Sequence, residues 1–211
     1  MGSKPSKNSA AEFVPAQRTL PLLREAVQSC RGCDLYQHAT QAVAGEGGAS
    51  STIVFIGEQP GDEEDRKGQP FVGPAGRLLD RALQEAGIDR KSVYVTNAVK
   101  HFKFEERGKR RIHKKPSASE TKACRPWLEA ELEVIRPEIL VCLGATAAQS
   151  VFGPDYRVTQ ARGKFVSHPW AALATSTIHP SAILRAPDEL RESEYALFVE
   201  DLKKVRLSQR R

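Results

Sequence analysis

The chain has 211 residues, 40% of them hydrophobic, and a formal net charge of +6. That is enough apolar material for one real core, and no apolar run approaches the roughly 20 residues of a membrane span. The charge is focused: Lys100–Lys115 carries eight cations and two anions, the whole surplus of the chain, which points to an anionic partner, nucleic acid first.

Residues 1–17 read as a disordered polar leader and residues 18–211 as one domain. No signal-peptide core is visible, which places the protein in the cytoplasm. The MGSKPS start formally fits a myristoylation signal through Gly2 and Ser6, but a polar leader satisfies it as well. Leu20–Ser29 is a predicted short helix with Pro21 in its first turn. It delivers Cys30 and Cys33 to a loop, Arg31–Ser51, rich in Gly, Ala and Ser. Without a secretory signal, the four cysteines (Cys30, Cys33, Cys124, Cys142) suggest a metal or redox role rather than disulfides.

Thr52–Gly57 is a continuous apolar, β-branched run and so a buried strand. A loop, EQPGDEEDRKGQPFVG, separates it from a helix at Pro74–Ala86 that closes at Gly87. Ser92–Val99 is the second strand. The basic segment follows, and within it GKRRIHKK (Gly108–Lys115) sets His113 among five cations. A cationic neighbourhood disfavours a further proton, so this imidazole keeps a free lone pair at pH 7 and can act as a nucleophile presented to a polyanion. A solvated basic loop with an idle histidine is the plainer account of the same residues.

Ser117-Ala118-Ser119-Glu120 matches a capping box that starts a helix carrying Cys124, Trp127, Leu128, Leu132 and Ile135, with Pro126 as a candidate kink. Glu138–Leu143 is a third buried strand and Ala145–Phe152 a short helix. Arg157–Val166 is a candidate strand or hairpin arm, and Ala172–Ile178 a further strand. Asp188–Leu207 is a terminal helix with Leu190, Leu197, Phe198, Leu202 and Val205 on its apolar face. The alternation of strands and helices implies a mostly parallel, four-stranded sheet covered on both faces. Sites in such sheets lie beyond the carboxyl ends of the strands. Four suggestive stretches fall there: GEQPGDEED, Asn97 with His101 and His113 beyond it, GATAA, and His179-Pro180-Ser181.

Three motifs, GEQPGDEED (Gly57–Asp65), VTNAVK (Val95–Lys100) and HPSAILR (His179–Arg185), make the chain resemble the uracil-DNA glycosylase superfamily. The resemblance runs from about Cys30 to the terminal helix. It is nearest to the iron–sulfur branch that includes family 4 and the UdgX type, and the KRRIH insert (Lys109–His113) and Gln59 point to the latter. It implies a three-layer α/β/α sandwich that flips uracil from DNA, single strands preferred, and breaks its glycosidic bond as a monomer. In the UdgX type it also implies covalent attachment to deoxyribose C1′ through His113; water replaces the histidine in the family 4 alternative, and a non-catalytic DNA-binding module is the remaining one.

Site roles follow from the same resemblance. Phe71 stacks the base, and Asn97 reads its edge, with Gln59 beside it. His179 meets the charge that develops on uracil. Glu58, Gln59 and Asp62 face the sugar, while Glu63 and Glu64 stay in a solvated loop. Lys109, Arg110, Arg111, Lys114, Ser181 and Arg185 hold phosphates. Cys30, Cys33 and Cys124 match the family's cluster ligands. His101 stands where a further cysteine is usual, so these four would hold a 4Fe–4S cluster. Zinc suits the same donors chemically. Cys142, inside an apolar strand, reads as core.

Overall fold

The computed structural model describes residues 9–209. Four strands form the parallel body of the sheet: β1 (Ile53–Gly57), β2 (Val93–Asn97), β5 (Ile139–Leu143) and β7 (Ala171–Thr177). Every residue of β1, β2 and β5 is buried, the pattern of a sheet covered on both faces. A short antiparallel strand, β6 (Val166–His168), extends the order to β2-β1-β5-β7-β6. The sheet is therefore five-stranded rather than four. The segment expected as one hairpin arm, Arg157–Val166, divides into helix α6 (Val158–Ala161) and the start of β6.

The remaining helices are α1 (Leu20–Ala26), α2 (Asp62–Lys67), α3 (Pro74–Glu85), α4 (Ala118–Ile135), α5 (Ala145–Phe152), α7 (Pro180–Leu184) and α8 (Asp188–Ser208). One core lies between the sheet and α3, α7 and α8, centred on Phe55, Leu79, Leu83, Val141, Phe198 and Leu202. The opposite face of the sheet packs Val54, Ile56, Tyr94, Leu140 and Cys142 against α4 and α5. Cys142 is thus a core residue, as its strand position implies. Alternate residues of one strand feed opposite cores, because successive side chains point to opposite faces. On α8 Phe198, Val199, Leu202 and Val205 reach the core. Leu190 and Leu197, expected on the same face, are exposed; seven residues apart, they share a helix side turned away from the one that carries Phe198, Leu202 and Val205.

A third apolar cluster ties down the N-terminal segment. It contains Ala10, Leu23, Val27, Cys30, Cys33, Cys124 and Trp127. The expected leader is ordered where it is described: Ala10 is buried, its N–H donates to Ala123 O at 2.8 Å, and Ala11–Phe13 forms a 3-10 turn. The expected Gly2 and Ser6 signal lies outside the described residues. Glu46 exchanges two backbone bonds with Val95, 2.9 and 2.8 Å, so the cysteine-bearing loop covers the β2 edge. Among the described residues no helix is long and apolar enough to cross a membrane.

The basic loop is not a loop. β3 (Phe104–Arg107) and β4 (Arg110–His113) pair antiparallel, with Phe104 opposite His113. Gly108 supplies the positive φ, 59°, that its tight turn requires. Likewise the acidic run is helical, as α2, and only partly solvated: Glu64 and Asp65 are buried.

Candidate active site

The strand order changes direction between β1 and β5, and in an open α/β sheet that crevice is where ligands bind. Glu58 leaves β1 there and Thr146 begins α5 there. The Thr146 hydroxyl donates to Glu58 Oε2 across the gap. Sequence reasoning missed Thr146, although it lies in the GATAA stretch already placed at this rim.

The candidate pocket is shaped by what is missing at Gly57. A Cβ there would lie 2.3 Å from Asn97 Oδ1 and 2.7 Å from Phe71 Cζ. The bare glycine lets the amide and the ring share one floor. Asn97 is buried at the end of β2, and among the described residues its side-chain amide makes no hydrogen bond to protein. An amide with open donor and acceptor positions at the floor of a crevice can pair with a ligand edge that presents the complementary pattern. Phe71 is buried with φ at 57°, a left-handed conformation rare for a bulky residue. Glu64 shapes this loop by accepting from the N–H groups of Gly61 (3.1 Å) and Gly73 (2.8 Å), so the expectation of a solvated Glu64 is corrected.

His179 faces Phe71 with ring centroids 6.3 Å apart. Burial, reinforced by Arg185 and His113, lowers its pKa to about 4, so it is neutral at pH 7. The Ser181 N–H donates to its Nδ1 at 3.1 Å, and the Ser181 hydroxyl lies 2.8 Å from the same atom. With Nδ1 accepting, the proton of the neutral ring sits on Nε2, leaving a neutral N–H donor free to meet a developing anion. Ser181 is therefore turned onto His179 rather than outward to a phosphate.

His113 Nε2 lies 3.4 Å from Glu58 Oε1 at the end of β4. Its pKa is lowered by partial burial, opposed by Glu58 and assisted by Arg185. The ring does keep its lone pair, but burial and Arg185 are the causes, not the hairpin cations expected to do this. The hairpin's own cations point elsewhere. Arg111 turns inward to Asp62 (2.5 Å) and the fully buried Asp65 (2.6 Å), with its guanidinium over Phe102 and Phe104. Lys114 pairs with Glu105 at 2.5 Å. Lys109, Arg110 and Arg185 remain exposed. Of the six expected phosphate contacts, these three are free to reach one.

Two expected catalytic residues serve the hairpin instead. Gln59 donates to Lys103 O (3.1 Å) and Lys114 O (3.0 Å) and accepts from Lys103 N–H (3.0 Å), which clamps both roots of the hairpin. Both of its amide N–H groups and one oxygen lone pair are thereby spent on the hairpin. Asp62 is held by Arg66 and Arg111; their hydrogen bonds outweigh burial and lower its pKa. It anchors Arg111 and does not face the pocket.

The proposed cluster ligands are all buried: Cys30, Cys33, His101 and Cys124. Burial raises the Cys124 thiol to about 12 despite Lys100, with Cys33 and Cys30 adding to the rise; burial likewise raises Cys33. Sulfurs that perturb one another in an apolar pocket fit a bound cation that would neutralise them. Two N–H donors already aim at sulfur: Trp127 Nε1 at Cys30 (3.1 Å) and Lys100 N at Cys124 (3.2 Å). Burial lowers His101 to about 4, against Asp65, which leaves the neutral imidazole a ligand must be. Among the described residues no three such side chains close on one ion position. The donor set suits a 4Fe–4S cluster, and zinc takes the same donors.

Fold and site together define an α/β protein that sets a side-chain amide and an aromatic ring side by side at the switch point of its sheet and carries a histidine at the end of a basic hairpin. Residues 44–203 match the model of the uracil DNA glycosylase superfamily, and the chain belongs to that superfamily. It is 38% identical to the type-4 uracil-DNA glycosylase of Thermotoga maritima over 192 residues, covering 90% of this chain and 94% of that one. It is 37% identical to the type-4 enzyme of Archaeoglobus fulgidus over 191 residues, 87% and 89% of the two chains. A type-5 uracil-DNA glycosylase of Thermus thermophilus is 32% identical over 125 residues, about half of each chain.

Proposed function

We propose that this protein is a uracil-DNA glycosylase acting as a monomer. The observation that carries the reading is the open side-chain amide of Asn97 set against Phe71 and Gly57. A flipped uracil stacks on Phe71. Asn97 donates to its O4 and accepts from its N3–H. As the C1′–N1 bond breaks, its electron pair moves onto uracil, and His179 Nε2–H donates to the O2 that gains the charge. Glu58, its carboxylate oriented by Thr146, faces the cationic sugar. Exposed Lys109, Arg110 and Arg185 hold the strand, and single-stranded DNA needs no unpairing before the base can enter.

What then adds to C1′ divides two readings. The type-4 relatives favour water, with Glu58 taking its proton and an abasic site released. The 3.4 Å approach of His113 Nε2 to Glu58 favours the second: His113 occupies the place of that water, its lone pair forms the bond to C1′, and its Nδ1 proton leaves. An alkylated imidazole is a poor leaving group, so the DNA would stay attached.

Cys30, Cys33, His101 and Cys124 would hold a 4Fe–4S cluster, which when bound serves as a structural clip fastening the N-terminal segment to α4. A denaturing gel with uracil-containing single-stranded DNA tests the whole reading. Free uracil with an abasic product supports the water form, and a shifted protein–DNA band that disappears in His113→Ser supports the covalent form. Neither product overturns the assignment as a glycosylase.

A further inference from the structure

Beneath the base pocket lies an ion pair that the reaction as described does not use. Lys100 and Glu131 are both buried, at 1% and 3% side-chain exposure, and their charged atoms are 2.7 Å apart. Such a pair gives little net stability over apolar residues of the same size, so its retention asks for another reason. Its contacts supply one. Lys100 Nζ also donates to the Thr96 hydroxyl (2.6 Å) and to the main-chain oxygen of Asn97 (3.0 Å). Glu131 accepts from Thr96 Oγ1 (2.7 Å) and from Gly45 N–H (2.9 Å). The ammonium therefore has three acceptors, one of them the backbone of the residue that faces the base. The N–H of the same Lys100 meets Cys124 Sγ.

We infer that Lys100, neutralised by Glu131, is a positioning residue: it fixes the backbone from which Asn97 reads the base and joins that backbone to the cysteine pocket. The inference rests on the glycosylase reading and deepens it. β2 is an edge strand whose ladder runs to β1 on one side only, so a carbonyl on its outer side needs a partner from elsewhere. Lys100 takes that place from three residues along the chain, with Glu131 on α4 as its counter-charge.

The test separates positioning from stability. Removing one partner of a buried pair leaves an uncompensated charge and destabilises strongly, whereas removing both restores stability. The double variant Lys100→Met, Glu131→Leu keeps the Lys100 N–H and should recover the wild-type melting temperature. Two affinities are then read: free uracil, and a uracil-free oligonucleotide. The expected result is free-uracil binding weaker by roughly tenfold, one hydrogen bond's worth, with oligonucleotide binding and iron content unchanged. Wild-type uracil affinity in the folded double variant overturns the inference. If that double variant does not fold, Lys100→Met, Glu131→Gln is read in its place, since it also removes both charges and the Nζ bond to Asn97 while keeping the Gly45 bond; the same selective loss supports the inference and unchanged uracil affinity overturns it. A wild-type protein that neither binds uracil nor acts on uracil-DNA would overturn the glycosylase reading, and this inference with it.

Discussion

Removing the Arg111 side chain should release the β3–β4 hairpin while the rest of the fold stays closed. Arg111 is 13% exposed and makes two charge-assisted bonds, to Asp62 at 2.5 Å and Asp65 at 2.6 Å. Bonds of this kind contribute about 1.5–3 kcal/mol each, and deleting one member of a buried pair costs about 3–5 kcal/mol. Asp65 keeps two contacts from the Thr40 N–H, 3.0 and 3.1 Å, which softens the loss. About 3 kcal/mol is then the expected change in the free energy of hairpin opening. That corresponds to roughly a hundredfold faster amide exchange, read by mass spectrometry over 103–114. Arg110→Ala, on the exposed side of the same strand, should change exchange by less than threefold. Equal protection in Arg111→Ala and wild type would refute the claim that Arg111 is the anchor. In the covalent reading, Arg111→Ala should also shift product from the attached band toward the free abasic strand, because His113 then leaves Glu58.

Further outcomes follow from the site. Gly57→Ala sets a methyl 2.3 Å from Asn97 Oδ1, so uracil release should fall by at least a hundredfold with little change in melting temperature; near-normal activity would show that the pocket lies elsewhere. Iron content, measured on protein purified without chelators, should survive Cys142→Ala and be lost in His101→Ala; the reverse pattern would mean the fourth ligand is misassigned. Acid should weaken the fold through His179. Its pKa is about 4 folded against 6.5 as a free side chain, so the unfolded state binds more protons between those values. Stability is thus complete above 6.5 and declines as pH falls toward 4, by no more than about 3 kcal/mol. His179→Gln should show a smaller drop in melting temperature between pH 7 and pH 4.5 than wild type, and identical drops would sink this account.

Much of the fold was readable in the sequence because its parallel strands announce themselves. IVFIG and ILVCL are apolar throughout since both faces are covered, and the boundaries of β1, β5 and α5 fall within a residue of expectation. The capping box at Ser117 and Glu120 forms as written. The candidate pocket was legible too, since strand ends place Glu58, Asn97 and His179 at one rim without any knowledge of packing. What the sequence by itself could not settle was the use made of each polar side chain. Gln59, Asp62, Arg111 and Ser181 sit in functional motifs, yet each is spent on a neighbour: the hairpin roots, Arg111, Asp65 and His179 respectively. The edge strand β6 was equally hidden, because three residues carry no periodicity. Charge count along the chain marked GKRRIHKK as a polyanion contact, but only tertiary structure turned Arg111 inward. The physical reason is that motif and periodicity report local geometry, whereas a long polar side chain has many rotamers of similar energy and takes the one its three-dimensional neighbours reward. A buried carboxylate such as Asp65, unpaired, is far more unfavourable than a solvated guanidinium is favourable. Arg111 therefore follows Asp65, and which acid lies within reach is decided by the fold.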